Sequence, residues 1–460
     1  MKSPIPDYLA DVLDAVRGIE DGAPADYIDV LARADVSRLA VALATVDGEV
    51  YAVGDHDVEF SIQSISKPFA YALAIEDNGL DRVLERVGVE PSGNAFNELS
   101  LEAGSHRPMN PMINAGAIAT HALVATPGAS REARITRFVD VMSRLAGRPL
   151  SVDEAVFDAE LRDGNRNMGL GYMLKAGGML DCDPGEAVSG YIRQCSVNVN
   201  VRDLALMAAT LANAGQQPQT GEPIFPASSV RQVLSVMTSC GMYDAAGDWI
   251  TTVGIPAKSG VAGGIIGALP GQLGLAVFSP RLDGHGNSVR GVAVCERLSR
   301  DMGLHMMDVS QIGRSLVHVL EATLGGGARQ DGEDVVPIYE LRGAVRFGGA
   351  ELLTRHLARD FGTSEGQDDG IGTYAGARAV ILSLRHTHSL SDVAQRVLRE
   401  NIRRLHDDGR DVVVIDPSGV LDLAPIEADK RPVAVDDDEA ARHHVGGTHC
   451  RLVSSREPAD

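Results

Sequence analysis

The sequence predicts a mixed α/β (α+β) protein: one sheet built from distant segments around a helical insertion, then a second, smaller α/β unit. Three observations carry this. RLAVALATVDGEVYAVGD, near the start, alternates apolar and small residues around an Asp-Gly turn. Strand-like patterns return far downstream, in GGIIGALPGQLGLAVFSP and NSVRGVAVCERL. Beyond the glycine- and charge-rich stretch LGGGARQDGED, Leu324 to Asp334, strand and helix patterns alternate at short intervals.

Taken in order, the first element is a helix over Tyr8 to Arg17. Leu39, Val41 and Leu43 then alternate with alanines, and Asp47-Gly48 is a strong hairpin signal. SIQSISKPFAYAL, Ser61 to Leu73, opens a helix. From about 80 to 245 the period is mostly helical, with Gly and Pro breaks. The two downstream segments read as strands, and a final amphipathic helix is expected from about Gln311 to Leu324. VPIYEL and AVRF read as short strands, about Ala350 to Phe361 as a helix, ARAVILSL as a buried strand, SDVAQRVLRENIRRLHDDG as a helix and RDVVVID as a strand. The end, from about Glu427, holds VDDDEA and lacks periodicity, the pattern of a disordered tail. The expected boundaries are 1–325 for the first domain, 326–335 for a linker, 336–426 for the second domain and 427–460 for the acidic tail.

A chain of 460 residues is too long for one ordinary core. Its net charge of −21 argues against nucleic acid and anionic membranes as partners, since both need a basic face. No apolar run approaches the roughly 18–20 residues that span a bilayer. MKSPIPDYLADVLDAV has no apolar signal core, so a cytoplasmic location is expected. The five cysteines are odd in number and form no CxxC pair, which fits reduced thiols. The tail gathers His443, His444, His449 and Cys450; a flexible tail and a metal site are both readings of it, the first needing no folded context.

Lysine use is the most informative bias. Of 42 basic residues only Lys2, Lys67, Lys175, Lys258 and Lys430 are lysine. Arginine keeps its proton, whereas a buried lysine can release one. A retained lysine therefore marks a place where an amine is required. Ser64-Ile65-Ser66-Lys67 is S-x-x-K, which sets hydroxyl and amine on one helix face. A serine becomes a nucleophile when a base takes its proton, and a desolvated lysine can be that base. Alone, the pair is better explained by a capping serine and a surface lysine. Lys258-Ser259-Gly260, just before a predicted strand, adds the second half of a known serine-acylation geometry, that of serine β-lactamases and penicillin-binding proteins.

SIQSISKPFAYALAIEDNG, SGNAFNE, RPMNPMINAGAIAT, YIRQCSVNV, SCGMYDAAGDW and IPAKSGVAGGI together resemble, in order, the serine-dependent glutaminase family. The resemblance covers about residues 10 to 315. It implies a β-lactamase/penicillin-binding-like sheet with a helical subdomain, hydrolysis of L-glutamine to L-glutamate and ammonia, no metal or cofactor, and a dimer or tetramer. It also implies site roles. Ser64 matches the nucleophile and Lys67 its base. Tyr27, Asn114, Glu160, Asn167 and Tyr191 match substrate-binding residues. Tyr243 matches a site tyrosine that shuttles a proton to the leaving ammonia, and Val261 a backbone contributor to the oxyanion site. The chemistry of glutamine agrees in kind. Its ammonium needs an anion such as Glu160, its carboxylate needs neutral donors such as Asn114 and Asn167, and the oxyanion needs two N–H groups, those of Ser64 and Val261. Structural readings compete at single positions: Tyr27 and Tyr191 as packing tyrosines, Glu160 as a solvated carboxylate, Asn114 as a satisfied buried amide.

Residues 336 to about 425 resemble the sulphate-transporter and anti-sigma-antagonist (STAS) domain, in strand–helix order and in ARAVILSLRHTHSLSDVAQRVL. That resemblance implies a protein partner or a role in assembly. Ser391, followed by Asp392, reads as a helix N-cap, with phosphorylation of Ser389 or Ser391 as the functional alternative. Two other functions compete with a glutaminase. One is another acyl-serine enzyme acting on β-lactams or peptides, which the expected location disfavours. The other is a glutamine-sensing regulator acting through the STAS-like domain.

Overall fold

The computed structural model describes residues 5–92, 100–309, 317–324, 335–345, 347–362, 372–446 and 450–456. The chain divides into two compact units, Met1–Asp308 and Val309–Asp460.

The first unit is organised by a five-stranded antiparallel sheet. Its strands are β1 (Ala40–Thr45), β2 (Val50–Gly54), β5 (Ala257–Gly260), β6 (Gly264–Leu269) and β7 (Leu273–Phe278), in the order β2-β1-β7-β6-β5. A small separate pair joins β3 (Phe60–Ser61) to β4 (Asn198–Val199). The Asp47-Gly48 turn joins β1 to β2 as expected, with Ala42 opposite Ala52. β1 also pairs with β7, Ala42 opposite Ala276, so segments from both ends of the unit close one sheet.

The alternation in β1 has a packing cause. Ala40, Ala42 and Ala44 share a core with the helix Val201–Ala212, which packs on β1, β6 and β7. Small side chains on that face let the helix backbone come close. Gly274 of β7 marks the tightest approach: a Cβ there would lie 2.1 Å from the Ala209 backbone nitrogen and 2.4 Å from the Ala205 carbonyl oxygen. Val41 and Leu43 point to the other face, where the helices Ile5–Val16 and Val289–Met302 pack on the sheet and on each other. The helix Val201–Ala212 starts at a full capping box, Asn200 bonding the Asp203 N–H and the Asp203 carboxylate bonding back. The helices Asn114–Ala122, Glu154–Arg162, Asn165–Ala176 and Pro184–Cys195 enclose their own smaller core, with Ile118, Phe157, Leu170, Leu174, Val188 and Ile192 inside.

Two segments of the first 325 residues differ from expectation. NSVRGVAVCERL is not a strand but the helix Val289–Met302. Ser288 caps it through the Gly291 N–H, and Arg290, Gly291, Val294, Cys295, Leu298 and Ser299 are buried at helical spacing. The three valines suggested a strand; the burial period and the cap favour the helix. The expected helix near Gln311–Leu324 is instead strand β8, Val317–Leu324, and its earlier residues lie outside the described set. β8 belongs to the second unit, which moves the division from about 325 to 308. The expected linker, 326–335, lies outside the described residues apart from Val335.

The second unit is a six-stranded sheet of order β12-β11-β10-β9-β8-β13. It adds β9 (Val335–Val345), β10 (Ala379–Leu390), β11 (Asp411–Ile415), β12 (Val433–Val435) and β13 (Cys450–Arg456). β9 to β12 run parallel, and β8 and β13 antiparallel. VPIYEL and the Ala344-Val345 start of AVRF are thus parts of one long strand, while Phe347, expected in a strand, opens the next helix. The helices Phe347–Phe361 and Asp392–Asp407 pack together, and the core they belong to holds Tyr339, Leu341, Leu353, Leu382 and Leu398. Ser391 caps the second helix through the Ala394 N–H. The acidic end, read as disordered from Glu427, carries β12, the helix Asp438–Gly446 and β13. Ala441 of that helix is fully buried in a second core with Ile338, Ile381 and Val413. A nine-residue helix with so few apolar positions leaves little periodicity to read. His443 and His444 lie on it, and His444 pairs with Asp411 at 3.3 Å.

Replacing Gly274 by Ala drives a methyl into helix backbone that has no room to yield. We expect Gly274→Ala to lose about 2 kcal/mol or more, read as a fall of several degrees in Tm by thermal denaturation. An unchanged Tm would show that the sheet and helix are not this close.

Candidate active site

Ser64 lies in a 3-10 turn, Gln63–Ile65, that runs directly into the helix Ser66–Asn78. The pairing of β3 with β4 and the bond from the Ile62 N–H to the Val197 carbonyl (2.8 Å) fix the approach to this turn. Gln63 is held at φ +52°, a left-handed conformation uncommon outside glycine. Tyr243, across the site, is held at φ +57°. Two strained residues in one site indicate that the surrounding structure over-determines their positions.

Lys67 is fully buried. Its Nζ donates to the Met112 carbonyl (3.1 Å) and to Asn114 Oδ1 (2.8 Å). Burial pulls its pKa down to about 8, against the opposing influence of Cys195 and Glu160. Lys258 is equally buried. Its amine donates to the Ser259 carbonyl (2.7 Å) and stands 3.7 Å from the centre of the Tyr243 ring. Burial first, and then the Lys67 charge, push its pKa well below the ordinary lysine value. The Tyr243 phenol contacts Ser64 and the Ser259 carbonyl, and burial raises its pKa. Ser64, Tyr243 and the two lysines thus form one desolvated group.

A cavity of about 320 Å³ opens above it, lined by Tyr27, Ile28, Gln63, Ser64, Asn114, Glu160, Asp163, Gly164, Arg166, Asn167, Tyr191, Cys195 and Val261. Seven of the nine site residues expected from sequence line it. Lys67 and Tyr243 sit behind its wall. Asn114 is a hub: its Oδ1 accepts from Lys67 and from the Tyr191 hydroxyl (3.2 Å), and its Nδ2 donates to Asn167 Oδ1 (3.0 Å). The structural reading of Asn114 as a satisfied amide is therefore correct, and its partners are the site. Tyr27 is 53% exposed and lines the rim of the cavity. Glu160 accepts from Gln63 Nε2 at 2.6 Å, and burial raises its pKa to about 7 against the pull of Gln63 and Lys67. Cys195 is pushed up to about 12 by burial and is an inert thiol. Among the described residues no cluster of His, Cys, Asp and Glu is arranged to hold a metal ion.

Sequence reasoning passed over Gln63 and Arg166. Gln63 directly precedes Ser64, and Arg166 lies between Glu160 and Asn167. Both were legible as polar residues in the right strings, but nothing in their spacing pointed inward.

A sequence profile of the glutaminase family matches residues 22–307. The glutaminase of Corynebacterium glutamicum is 46% identical over 418 residues, covering 91% of this chain and 95% of that protein. The chain belongs to the glutaminase family. A glutaminase of Trichormus variabilis is 48% identical over 310 residues, 67% of this chain and 92% of that protein. Among solved structures, Mglu in its glutamate form superposes with TM-score 0.80 at 47% identity, covering 92% of this chain and all of that one. A probable glutaminase of Bacillus subtilis gives TM-score 0.62 at 31% identity, covering 66% of this chain and 99% of that one. Family members thus differ in length, and this chain matches the Corynebacterium glutamicum protein over nearly the whole of both. Among the described residues no helix is long and apolar enough to cross a membrane.

The raised Glu160 pKa sets a pH dependence for binding. A carboxyl with its pKa at about 7 is ionised above that pH and neutral below it, and only the ionised form attracts an ammonium. Binding of L-glutamine to inactive Ser64→Ala protein should be tight above pH 7 and weaken by up to about tenfold per unit below it. Glu160→Gln should bind about 10- to 100-fold more weakly and lose this slope. Calorimetry at several pH values checks both; equal affinity at pH 6 and 8 would remove Glu160 from the ammonium site.

Proposed function

We propose that this pocket hydrolyses L-glutamine to L-glutamate and ammonia through an acyl-Ser64 intermediate. The observation that carries the reading is the Lys67 amine, buried beside Ser64 with a pKa of about 8. A sizeable neutral fraction exists at physiological pH, which a surface lysine lacks. Neutral Lys67 takes the Ser64 proton as Oγ attacks the side-chain amide carbon. The Ser64 and Val261 N–H groups hold the oxyanion. The proton passes by way of the Tyr243 phenol to the leaving nitrogen, the C–N bond breaks and ammonia departs. Water, deprotonated by Lys67, then attacks the glutamyl ester, releasing glutamate and restoring Ser64. Glu160 holds the substrate ammonium, while Asn114, Asn167, Tyr27 and Tyr191 receive the carboxylate end. Arg166, on the pocket wall, adds a positive charge on the same side as Asn167 in sequence.

S-x-x-K on a helix and Lys258-Ser259-Gly260 on the edge strand β5 support reading the first unit as a β-lactamase-like fold. The order β9, helix, β10, helix, β11 supports a STAS-like second unit serving a partner or assembly. We propose a homo-oligomer on the family resemblance; light scattering that gives a monomer would overturn it.

Ser64→Ala should abolish ammonia release from L-glutamine. Lys67→Arg keeps the charge but cannot lose its proton, and should lower kcat by about 10³-fold or more, in the range of a lost base. Wild-type kcat/KM should rise with pH toward about 8, because neutral Lys67 is the active form. A Lys67→Arg enzyme of near-normal rate would sink the base assignment.

A further inference from the structure

A line of buried polar side chains behind the nucleophile takes no part in the steps above. Ser66 Oγ donates to the Gln63 carbonyl at 2.7 Å. Gln194 Nε2 lies 3.0 Å from Ser66 Oγ, and Gln194 Oε1 lies 2.8 Å from His121 Nδ1. Ser66, Gln194 and His121 are fully buried.

The proton positions along this line follow by elimination. A carbonyl only accepts, so the Ser66 hydroxyl proton points at Gln63. Ser66 Oγ must then accept from Gln194, which turns the Gln194 amide nitrogen toward it. The amide oxygen consequently faces His121, and Nδ1 of His121 must carry the proton. His121 Nε2 is left bare and has no hydrogen-bond partner among the described residues. The space beside it is closed: a Cβ on Gly190 would lie 2.3 Å from it. Burial lowers the His121 pKa to about 4, so the ring stays neutral and carries a single proton.

We infer that Gln194 and Ser66 are positioning residues for the oxyanion site, acting in a one-way hydrogen-bond chain from His121 that fixes the peptide plane between Gln63 and Ser64. The Gln63 carbonyl and the Ser64 N–H belong to one planar unit, and no peptide bond among the described residues is cis. In a trans peptide the two groups point in opposite directions. The Gln63 oxygen receives both the Ser66 backbone N–H and the Ser66 hydroxyl. Pinning that oxygen inward aims the Ser64 N–H outward, toward the pocket that Ser64 and Val261 line. The same bonds offset the strain of Gln63 at φ +52°. Hydrogen bonding to the carbonyl also polarises the peptide, making its N–H a stronger donor.

This inference rests on the acyl-Ser64 reading, and its test separates the two. The kcat and KM for L-glutamine are measured per folded enzyme for wild type, Gln194→Met, Ser66→Ala and Ser64→Ala, with folding checked by circular dichroism. The expected result is a 10- to 100-fold lower kcat in Gln194→Met with KM changed less than about threefold. That is part of what losing a whole oxyanion donor costs. Ser66→Ala should shift kcat the same way. A purely structural role would reduce the folded fraction and leave kcat per folded enzyme intact, which would overturn the inference. So would a rise in KM at constant kcat, since that would place the effect in the grip of Gln63 on Glu160. Should Gln194→Met fail to fold, Ser66→Ala, which deletes a single oxygen, decides alone. Activity retained in Ser64→Ala would overturn the acyl-serine reading itself, and the positioning role with it.

Discussion

The burial of one amine organises this site. Lys67 is held by a backbone carbonyl and by Asn114 with almost no access to water, so its charged form is disfavoured while its position is fixed. Both conditions are needed. A lysine in solvent would keep its proton, and an unanchored buried one would lose its fixed position. Asn114 meets the second condition by linking the amine to Asn167 and Tyr191, so the amine and the pocket wall share one hydrogen-bond network. The helical insertion supplies that wall. Its separate core, built on Ile118, Leu170 and Val188, holds Asn114 and Tyr191 on rigid helices.

Arginine elsewhere in the first unit does work that lysine cannot. Arg148 reaches Asp203 through two nitrogens, at 2.8 and 2.6 Å, and also Glu59 at 2.8 Å. Asp203 is itself the return half of the capping box. A planar fork suits such shared carboxylates, whereas a point-charge amine suits a proton transfer. Two of the five lysines, Lys67 and Lys258, are buried together at the pocket, whereas Lys175 and Lys430 make ordinary surface contacts.

What could be read from the chain follows the same division. Ser64, Lys67 and Lys258 were legible because their chemistry requires particular residue types at fixed spacing. The β1–β2 hairpin was legible because a short alternating pattern met an Asp-Gly turn. The helix Val289–Met302 was misread because β-branched residues dominate its start and the cap at Ser288 was overlooked. The strand Val317–Leu324 and the helix Asp438–Gly446 depend on partners far away in sequence, Leu341 and Ile381 among them. Local pattern carries no trace of those. Gln63 and Arg166 belong with these: their inward direction is set by backbone conformation and neighbouring elements, not by their own identity.

The strand order of the first sheet bears on how the enzyme is made. β7 occupies the middle of the sheet although it is the last of the five strands in the chain. During synthesis from the N-terminus, the β1–β2 hairpin and the Ser64 helix emerge long before the strand that joins them to β6 and β5. Val261 cannot be brought opposite Ser64 until β7 bridges the two halves. The serine and lysine of the S-x-x-K string are therefore made well before the sheet around them can close.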